Sequence, residues 1–406
     1  MQQITAPETV PGRPTRPRGR WIWHLSGVAT ILMGAALVAF AIIRAGNPDG
    51  VGFAQTVLPT STVLVAGEVS SLTATSYGAP IQVTRGPVSQ VTVEETVSFN
   101  RPGPFGPPRV RATADHGNLT LAAPSCDHGG CAVGFVVIVP ANFPPVRVSA
   151  SSDGGAVSVS GVAAADIDSG SGTVSASDVQ GLLTVTSEGG GITATGAGSA
   201  SLDSGSGTVS ASEIPGALTI TSEGGGIGVH GTGSATLNSG SGPVSASAVA
   251  GTLDVTSAGG TVNIAGARGV TVDSGSGDVV ARSVDGPLNA TTSGGKLQVD
   301  GLTGALTADT GSGDVTASGV ASATARVTTS GGSAHLSFTT APQSVLVTTG
   351  SGNAVLVLPG GPYDVNAQAG GGPQLVSVPV DPTAQSSISV TTSGGELQVK
   401  PPAAGS

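Results

Sequence analysis

The stretch DSGSGTVSAS, residues 168–177, returns unchanged at residues 203–212. A third copy, NSGSGPVSAS, begins at Asn238, and a fourth, DSGSGDVVAR, begins at Asp273, so each copy starts 35 residues after the previous one. None of the four strings contains His, Cys, Lys or an aromatic residue. A repeat at a fixed spacing is typical of a chain that stacks similar structural units.

The 35-residue repeat consists of two units of 17 or 18 residues, each marked by apolar residues at equivalent places. A first apolar column comprises Val174, Ile192, Val209, Ile227, Val244, Val262, Val279, Leu297 and Val315. A second column lies two residues further on, at Ala176, Ala194, Ala211, Val229, Ala246, Ile264, Ala281, Val299 and Ala317. A third comprises Val185, Leu202, Ile220, Leu237, Val255, Val272, Ala290 and Ala308. Apolar residues that alternate with polar ones in this way indicate strands.

A unit of this length predicts an all-β fold, namely a single-stranded parallel β-helix with one coil per 17–18 residues. The unit is too short for a two-helix repeat or a propeller blade, and too long for the nine-residue calcium-binding repeat. Each coil would hydrogen-bond to the next at ~4.8 Å, and the apolar columns would line a narrow interior. We expect right-handed coils, because parallel crossovers are usually right-handed.

Glycine is expected at the corners of the coils. The SGSG string predicts a corner at which glycine adopts a positive φ at little steric cost. A separate glycine column predicts a second turn of this kind, with Gly216 at positive φ; its members are Gly181, Gly198, Gly216, Gly233, Gly251, Gly286 and Gly304.

The N-terminal part of the chain differs from the repeats. Residues 25–43 contain no charged residue and would span a bilayer core as a helix at ~1.5 Å per residue. Trp21 and Trp23 precede this segment, and arginines are concentrated before them. We therefore predict a cytoplasmic basic tail at residues 1–20 and a single-pass transmembrane helix at residues 21–44, which places the rest of the chain outside the cell. A cleaved signal peptide is the alternative, although its apolar core is usually shorter.

The remaining chain is predicted to contain three parts. Residues 45–62 form a linker, residues 63–150 an irregular β region, and residues 151–400 the β-helix repeats with a C-terminal cap. Five of the 15 basic residues but only one of the 25 acidic residues lie at or before residue 44, so residues 45–406 hold 10 basic and 24 acidic residues. This acidic excess argues against nucleic acid or anionic lipid as a partner.

The two cysteines of the chain lie close together in the string SCDHGGC. Outside the cell, Cys126 and Cys131 are predicted to form a disulfide that closes a small loop. A metal site that includes Asp127 and His128 is an alternative, but structural zinc usually takes four ligands. Free thiols are the third possibility.

Acidic residues recur in one column of every second coil, at Asp168, Asp203, Asn238, Asp273 and Asp309. This column is a candidate for binding calcium or a cationic surface. The alternative, which we favour, is that each side chain hydrogen-bonds the backbone of the SG turn that follows it. The chain shows no clustered catalytic acids, no metal-ligand spacing and no nucleophile motif, so the sequence predicts no catalytic residue, no cofactor and no metal.

The string VVIVPANFPPVRVSASSDGGAVSVSG at residues 136–161, followed by recurring SGSGDV and TTSGG, resembles the "putative adhesin" family of bacterial envelope proteins. The resemblance covers roughly residues 63–400 and implies a β-helical domain of unknown function, without catalytic residues to carry over. The expected function is therefore a membrane-anchored, extracellular, non-enzymatic β-helix that acts as an adhesin or as an envelope scaffold or sensor, with a cell-envelope or surface component as its partner. A polymer-forming β-helix is the first alternative, and a polysaccharide-acting enzyme is the second.

Overall fold

The computed structural model describes residues 55–100, 110–123 and 131–403 of the chain. These residues form strands connected by turns, and no helix among them has the length and apolar character needed to cross a membrane. The predicted tail and transmembrane helix, residues 1–20 and 21–44, lie outside the described residues.

The strands before the regular repeats are short and mixed in direction. They are β1 (Gln55–Val57), β2 (Ser61–Val65), β3 (Ser71–Ser76), β4 (Gly78–Gly86), β5 (Val91–Asn100), β6 (Arg111–Asp115), β7 (Asn118–Ala122) and β8 (Cys131–Pro140). Four of them, β3, β4, β7 and β8, already run parallel to the coils that follow. The solenoid ladders therefore include strands that precede residue 151.

The regular coils come next along the chain. The first strands are β9 (Arg147–Ser152), β10 (Val157–Val162) and β11 (Ala164–Ser169). Six long strands then bend round a corner, namely β12 (Val174–Ser187), β13 (Ile192–Ser204), β14 (Val209–Ser222), β15 (Ile227–Ser239), β16 (Val244–Ser257) and β17 (Val262–Ser274). Later coils have two separate strands each: β18 (Val279–Val284), β19 (Leu288–Thr292), β20 (Leu297–Leu302), β21 (Leu306–Thr310), β22 (Val315–Val320), β23 (Thr324–Thr329), β24 (Ala334–Phe338), β25 (Ser344–Thr349) and β26 (Ala354–Val357).

Four more strands complete the C-terminal end. They are β27 (Asp364–Ala369), β28 (Gln374–Val376), β29 (Ser387–Thr392) and β30 (Leu397–Lys400). All coils contribute to two parallel ladders. Sheet I contains the first half of each coil, through β4, β10, β18 and β26. Sheet II contains the second half, through β3, β9, β11, β19 and β25.

The three apolar columns predicted from the sequence line the interior. In sheet I, Val174 pairs with Ile192, which pairs with Val209, and the same ladder continues to Val315. The residues of this column are at most 2% exposed. The second column pairs in sheet I and the third in sheet II. The prediction of a parallel β-helix is confirmed, and its handedness stays a prediction.

Buried hydroxyl groups fix the corner that follows sheet II. From β9 to β25, and again in β29, the last residue of each sheet II segment is Ser or Thr, and its side chain points inward. Ser169 Oγ donates a hydrogen bond to the Gly172 carbonyl oxygen at 2.8 Å, and Ser222 Oγ donates to the Gly225 carbonyl oxygen at 2.9 Å. The bond stabilises the corner because a buried hydroxyl without a partner would cost free energy.

The expectation that glycine is needed for positive φ at SGSG and at Gly216 is wrong. Neither the SGSG glycines nor Gly216 has a positive φ. A Cβ at Gly216 would instead lie 2.3 Å from the carbonyl oxygen of Gly198, and one at Gly172 would lie 2.0 Å from that of Gly155. These positions need glycine because the backbone of the previous coil leaves no room for a side chain. The positive φ values lie at another corner, in a column that includes Asp178, Gly196, Glu213, Gly231, Ala248 and Gly266.

The same close stacking explains why the sequence repeats every 35 residues, which is every two coils, rather than after each coil. A Cβ at Gly205 would lie 2.3 Å from the carbonyl oxygen of Glu188, and one at Gly240 would lie 2.1 Å from that of Glu223. Glycine therefore alternates with a residue that carries a side chain, coil by coil, and the sequence repeats only after two coils.

The two ends of the solenoid are built differently. At the N-terminal end, antiparallel strands continue the ladders, since β5 pairs with β8 and β6 pairs with β7. At the C-terminal end, β29 lies between β25 and β27, and β30 lies between β26 and β28. The outermost coil, β27 with β28, therefore precedes in sequence the coil beneath it. Burial raises the pKa of Tyr363, which packs at this end with its hydroxyl donating to the Pro359 carbonyl oxygen.

Candidate functional site

The outward side chains of sheet II form two straight columns. Strand residues alternate in direction, so the two residues that flank each inward residue of the third column point to solvent. The first column comprises Asp166, Thr184, Ser201, Thr219, Thr236, Asp254, Thr271, Asn289, Thr307 and Arg326. The second comprises Asp168, Thr186, Asp203, Thr221, Asn238, Thr256, Asp273, Thr291, Asp309 and Thr328. We call these two columns the Asp/Thr face.

The geometry of the Asp/Thr face follows from the strand ladder. Two outward residues on one strand are ~6.6 Å apart, and equivalent residues on neighbouring coils are ~4.8 Å apart. The side chains are exposed or half-buried throughout, and Arg326 is the basic residue at the C-terminal end of the face. The face is thus a regular grid of hydroxyl and carboxylate groups with a net negative charge.

The side chains of this face are not used within the solenoid. Among the described residues, no hydrogen bond or ion pair joins them to another group. The outward face of sheet I differs, because its side chains contact each other from coil to coil. Thr195 lies 3.2 Å from Ser212, and His230 Nδ1 lies 3.0 Å from the Ser247 hydroxyl. Hydrogen-bonding groups that the fold leaves open are available to a partner.

The structure places the predicted acidic column, Asp168 to Asp309, in the Asp/Thr face. The expected hydrogen bond from these side chains to the next turn does not form, because each side chain points outward. The next residue supplies that bond instead, as Ser169 does. The threonines between and beside the acidic residues were not predicted as part of this surface. Their signal is the pattern T-x-T before a serine, at residues 184–186 and 219–221.

Calcium binding by the acidic column meets a geometric difficulty. Asp168 and Asp203 are separated by Thr186 in the ladder, so their backbones are ~9.6 Å apart. A calcium ion binds six to eight oxygens at roughly 2.3–2.6 Å, which two carboxylates at that separation do not supply together. Within residues 55–100, 110–123 and 131–403, no three acidic, His or Cys side chains come together as a metal site.

Two small clefts lie among the described residues. A cleft of about 110 Å³ lies beside the β6–β7 turn and is lined by Glu68, Asp115 and His116. A second cleft, of about 270 Å³, lies at the corner after sheet I and is lined by Gly266, Arg268 and Asp285. Pockets for small ligands usually hold ~300–1,000 Å³, so neither cleft competes with the extended Asp/Thr face as a binding site.

The predicted disulfide lies at the start of β8. Cys131 is disulfide-bonded and half-buried. Cys126, the other cysteine of the chain, lies outside the described residues. The pairing of Cys126 with Cys131 therefore stays a prediction.

Comparison with known proteins points to one family. The family model "Toastrack DUF4097" matches residues 218–356 and 250–400, which together cover a little under half of the chain. The matched residues begin within β14 and end with β30, so they include every coil from β15 onward. This match confirms the predicted resemblance to an adhesin-like, β-helical family of unknown function. No curated protein matches the chain.

Several solved structures have low similarity to the chain. A "putative cell adhesion protein" from Clostridium sporogenes is 9% identical, with a TM-score of 0.19, over 85% of this chain and 99% of that chain. A "putative adhesin" from Bacteroides fragilis is 11% identical, with a TM-score of 0.17, over 87% of this chain and 100% of that chain. One from Parabacteroides distasonis is 12% identical, with a TM-score of 0.19, over 84% of this chain and 97% of that chain. Identities and TM-scores at this level support no inference about function.

Proposed function

We propose that this β-solenoid, whose C-terminal coils match the Toastrack DUF4097 family, is a non-enzymatic, adhesin-like protein of the bacterial cell envelope. Its binding surface is the Asp/Thr face, and its partner is a repetitive envelope or surface component. The observation that carries this proposal is the regular grid of open hydroxyl and carboxylate groups along sheet II. A grid of this kind suits a partner that presents hydrogen-bonding groups at a repeated spacing.

The strength of such binding comes from the number of coils. A single Thr or Asp contact with solvent nearby is weak, because the free groups are already hydrogen-bonded to water. Once the first contact along a rigid face has formed, further contacts form without an additional loss of orientational entropy. The overall affinity therefore rises with the number of coils that bind. The acidic residues of the face disfavour a polyanionic partner and favour one with amine or hydroxyl groups.

The second part of the proposal is that the transmembrane helix at residues 21–44 anchors the solenoid on the outer side of the cell membrane. The uncharged run at residues 25–43 and the arginines before it support this topology. A disulfide-bonded Cys131 is in keeping with an oxidising compartment.

Paired substitutions on the two outward faces test the binding surface. Thr219→Lys with Thr221→Lys adds two bulky cations to the Asp/Thr face, where both threonines are exposed. Ser210→Lys with Ser245→Lys makes the same change on the exposed face of sheet I and serves as the control. We expect the first pair to weaken binding of the full-length protein to isolated bacterial cell walls several-fold, and the control pair to leave it unchanged.

Salt provides a second measurement in the same assay. Binding through exposed carboxylates should weaken as ionic strength rises, because solvent-exposed charges are screened. Equal losses of binding for both pairs of variants would refute a specific role for the Asp/Thr face.

A further inference from the structure

The outermost C-terminal coil has an open strand edge. β27 pairs with β29 and β28 pairs with β30, and neither has a second neighbour among the described strands. By contrast, β29 and β30 are flanked on both sides. On this outer side, Tyr363 just before β27 pairs with Val380, and the Ala369 N–H donates to Gln374 Oε1. The remaining backbone N–H and C=O groups along this side of β27 and β28 are free to pair with another chain.

The side chains of this coil also lack a cover. Val365 and Ala367 point inward and are only half-buried. One coil further in, their register partners Ile388 and Val390 are 0% exposed. Val376, the inward residue of β28 that pairs with Val399, is likewise only half-buried. Tyr363 and Val378 at this end are buried, but these inward residues of β27 and β28 are not, so a strand that covered them would bury apolar surface.

The edge has few of the residues that protect natural sheet edges. Lysine, other charged residues and proline on an edge strand prevent pairing with other chains. Asp364 is the one charged residue among residues 364–376, and Pro373 lies between the two strands rather than within one. Removing this end from water therefore costs little in desolvation of charge.

We propose that the open edge pairs with the same edge of a second copy of this chain, which gives an end-to-end dimer with two-fold symmetry. A two-fold axis sets β27 antiparallel to β27 of the second copy, so inward residues meet inward residues. In the register centred on Asn366, Val365 lies opposite Ala367 of the second copy. In the register centred on Ala367, Val365 lies opposite Ala369. Neither register places two charged side chains opposite each other. A second copy also has the same cross-section, so it covers both open strands and the interior at once.

The other end of the molecule favours a closed dimer over a filament. The N-terminal end is finished by antiparallel strands, and charged residues lie along it. Arg111 and Asp115 are exposed on the edge strand β6. Glu95 lies on β5 and accepts a hydrogen bond of 2.9 Å from Ser61 on the edge strand β2. Head-to-tail stacking would bury these charges against the C-terminal edge, and it is therefore disfavoured. Pairing of two C-terminal edges uses up both of them, so the assembly stops at two copies.

Disulfide trapping tests this dimer. Opposed residues of antiparallel strands have Cα atoms roughly 4.5–5.5 Å apart, within the range that a disulfide bridges. Asn366→Cys and Ala367→Cys each place a thiol at the axis in one of the two registers. Ser389→Cys is the matched control, because Ser389 pairs with Asn366 but lies one coil inside the edge. With the full-length protein in detergent, we expect oxidation to give a reducible dimer for one of the two edge variants and not for the control.

Light scattering provides a second measurement, independent of the cysteines. The unmodified full-length protein should have twice the monomer mass, and Val365→Lys should convert it to monomer while the β-rich circular dichroism spectrum is retained. Leu64→Lys, a change at a residue 62% exposed on the N-terminal edge, should leave the dimer intact. The proposal is overturned by a monomeric parent protein, by larger assemblies, or by edge cysteines that cross-link no more than Ser389→Cys.

Discussion

At the scale of single residues, glycine in this protein serves the approach of one coil to the next. At Gly225, a Cβ would lie 1.9 Å from the carbonyl oxygen of Gly207. At the neighbouring Gly224, the nearest atom would be 3.8 Å away. The Gly207 carbonyl belongs to the backbone of the corner, so it cannot move aside without disturbing the adjoining strands. Two adjacent glycines in the same turn therefore have very different tolerance for a side chain.

Substitution of these two glycines tests this explanation. Gly225→Ala should lower the free energy of unfolding by roughly 1–3 kcal/mol, the usual cost of forcing extra atoms into a packed site. Gly224→Ala should change it by no more than about 0.5 kcal/mol, as for other surface substitutions. Neither glycine has a positive φ, so the comparison is free of backbone strain. Chemical denaturation of both variants measures the difference, and similar stabilities would show that the corner has room for a side chain.

The inward residues could be predicted from the sequence, but the reason for each glycine could not. Val174 and Ala176 repeat with their neighbours at a period that only stacked strands explain, and burial follows from alternation. A glycine column gives the same sequence signal whether the cause is a positive φ or a nearby carbonyl oxygen. The distance between coils decides between the two causes, and that distance is a property of the folded stack.

At the scale of the coil, the repeating structural unit is a pair of consecutive coils. Gly205 lies above Glu188 and Gly240 lies above Glu223, so each coil that carries a side chain at this corner is followed by one that does not. Two neighbouring coils that both carried a side chain at this corner would bring a Cβ against a carbonyl oxygen. The Asp/Thr face has the same two-coil rhythm, since Asp168 and Asp203 alternate with Thr186 and Thr221.

Deletions of one and of two coils should therefore behave differently. Removal of residues 204–238 joins Asp203 to Ser239 and keeps the alternation, so the solenoid should fold and shorten by ~9.6 Å. Removal of residues 205–222 joins Ser204 to Glu223 and places Glu223 at the position of Gly205. A Cβ at that position would lie 2.3 Å from the Glu188 carbonyl oxygen. We expect the single-coil deletion to lower the melting temperature more than the double-coil deletion. The opposite order would show that each coil is an independent unit.

At the scale of the whole molecule, the C-terminal end is the part that the sequence did not predict. A cap was expected there, and the cap stays a prediction; what the sequence did not indicate is that the coil of β29 and β30 is inserted beneath that of β27 and β28. Ser344 of β25 pairs with Ser387 of β29, across a separation of 43 residues, whereas the regular ladders join residues 17 or 18 apart. The repeat spacing in the sequence predicts which coils are neighbours only when consecutive coils stack in order. An insertion between two existing coils breaks that spacing. Because of this insertion, the outermost coil is formed by β27 and β28 rather than by the last two strands of the chain.

The orientation of the molecule at the membrane gives the last prediction. The arginines before Trp21 favour a cytoplasmic N-terminus, since positively charged flanks stay inside, and the solenoid then lies outside. A membrane-impermeant maleimide should label Ser210→Cys in intact protoplasts, because Ser210 is exposed on the outer face of sheet I. The same reagent should label Thr15→Cys in the arginine-rich tail only after the membrane is permeabilised. The parent protein, whose Cys131 is disulfide-bonded, gives the background. Labelling of Thr15→Cys but not of Ser210→Cys in intact protoplasts would reverse the topology and with it the proposed role at the cell surface.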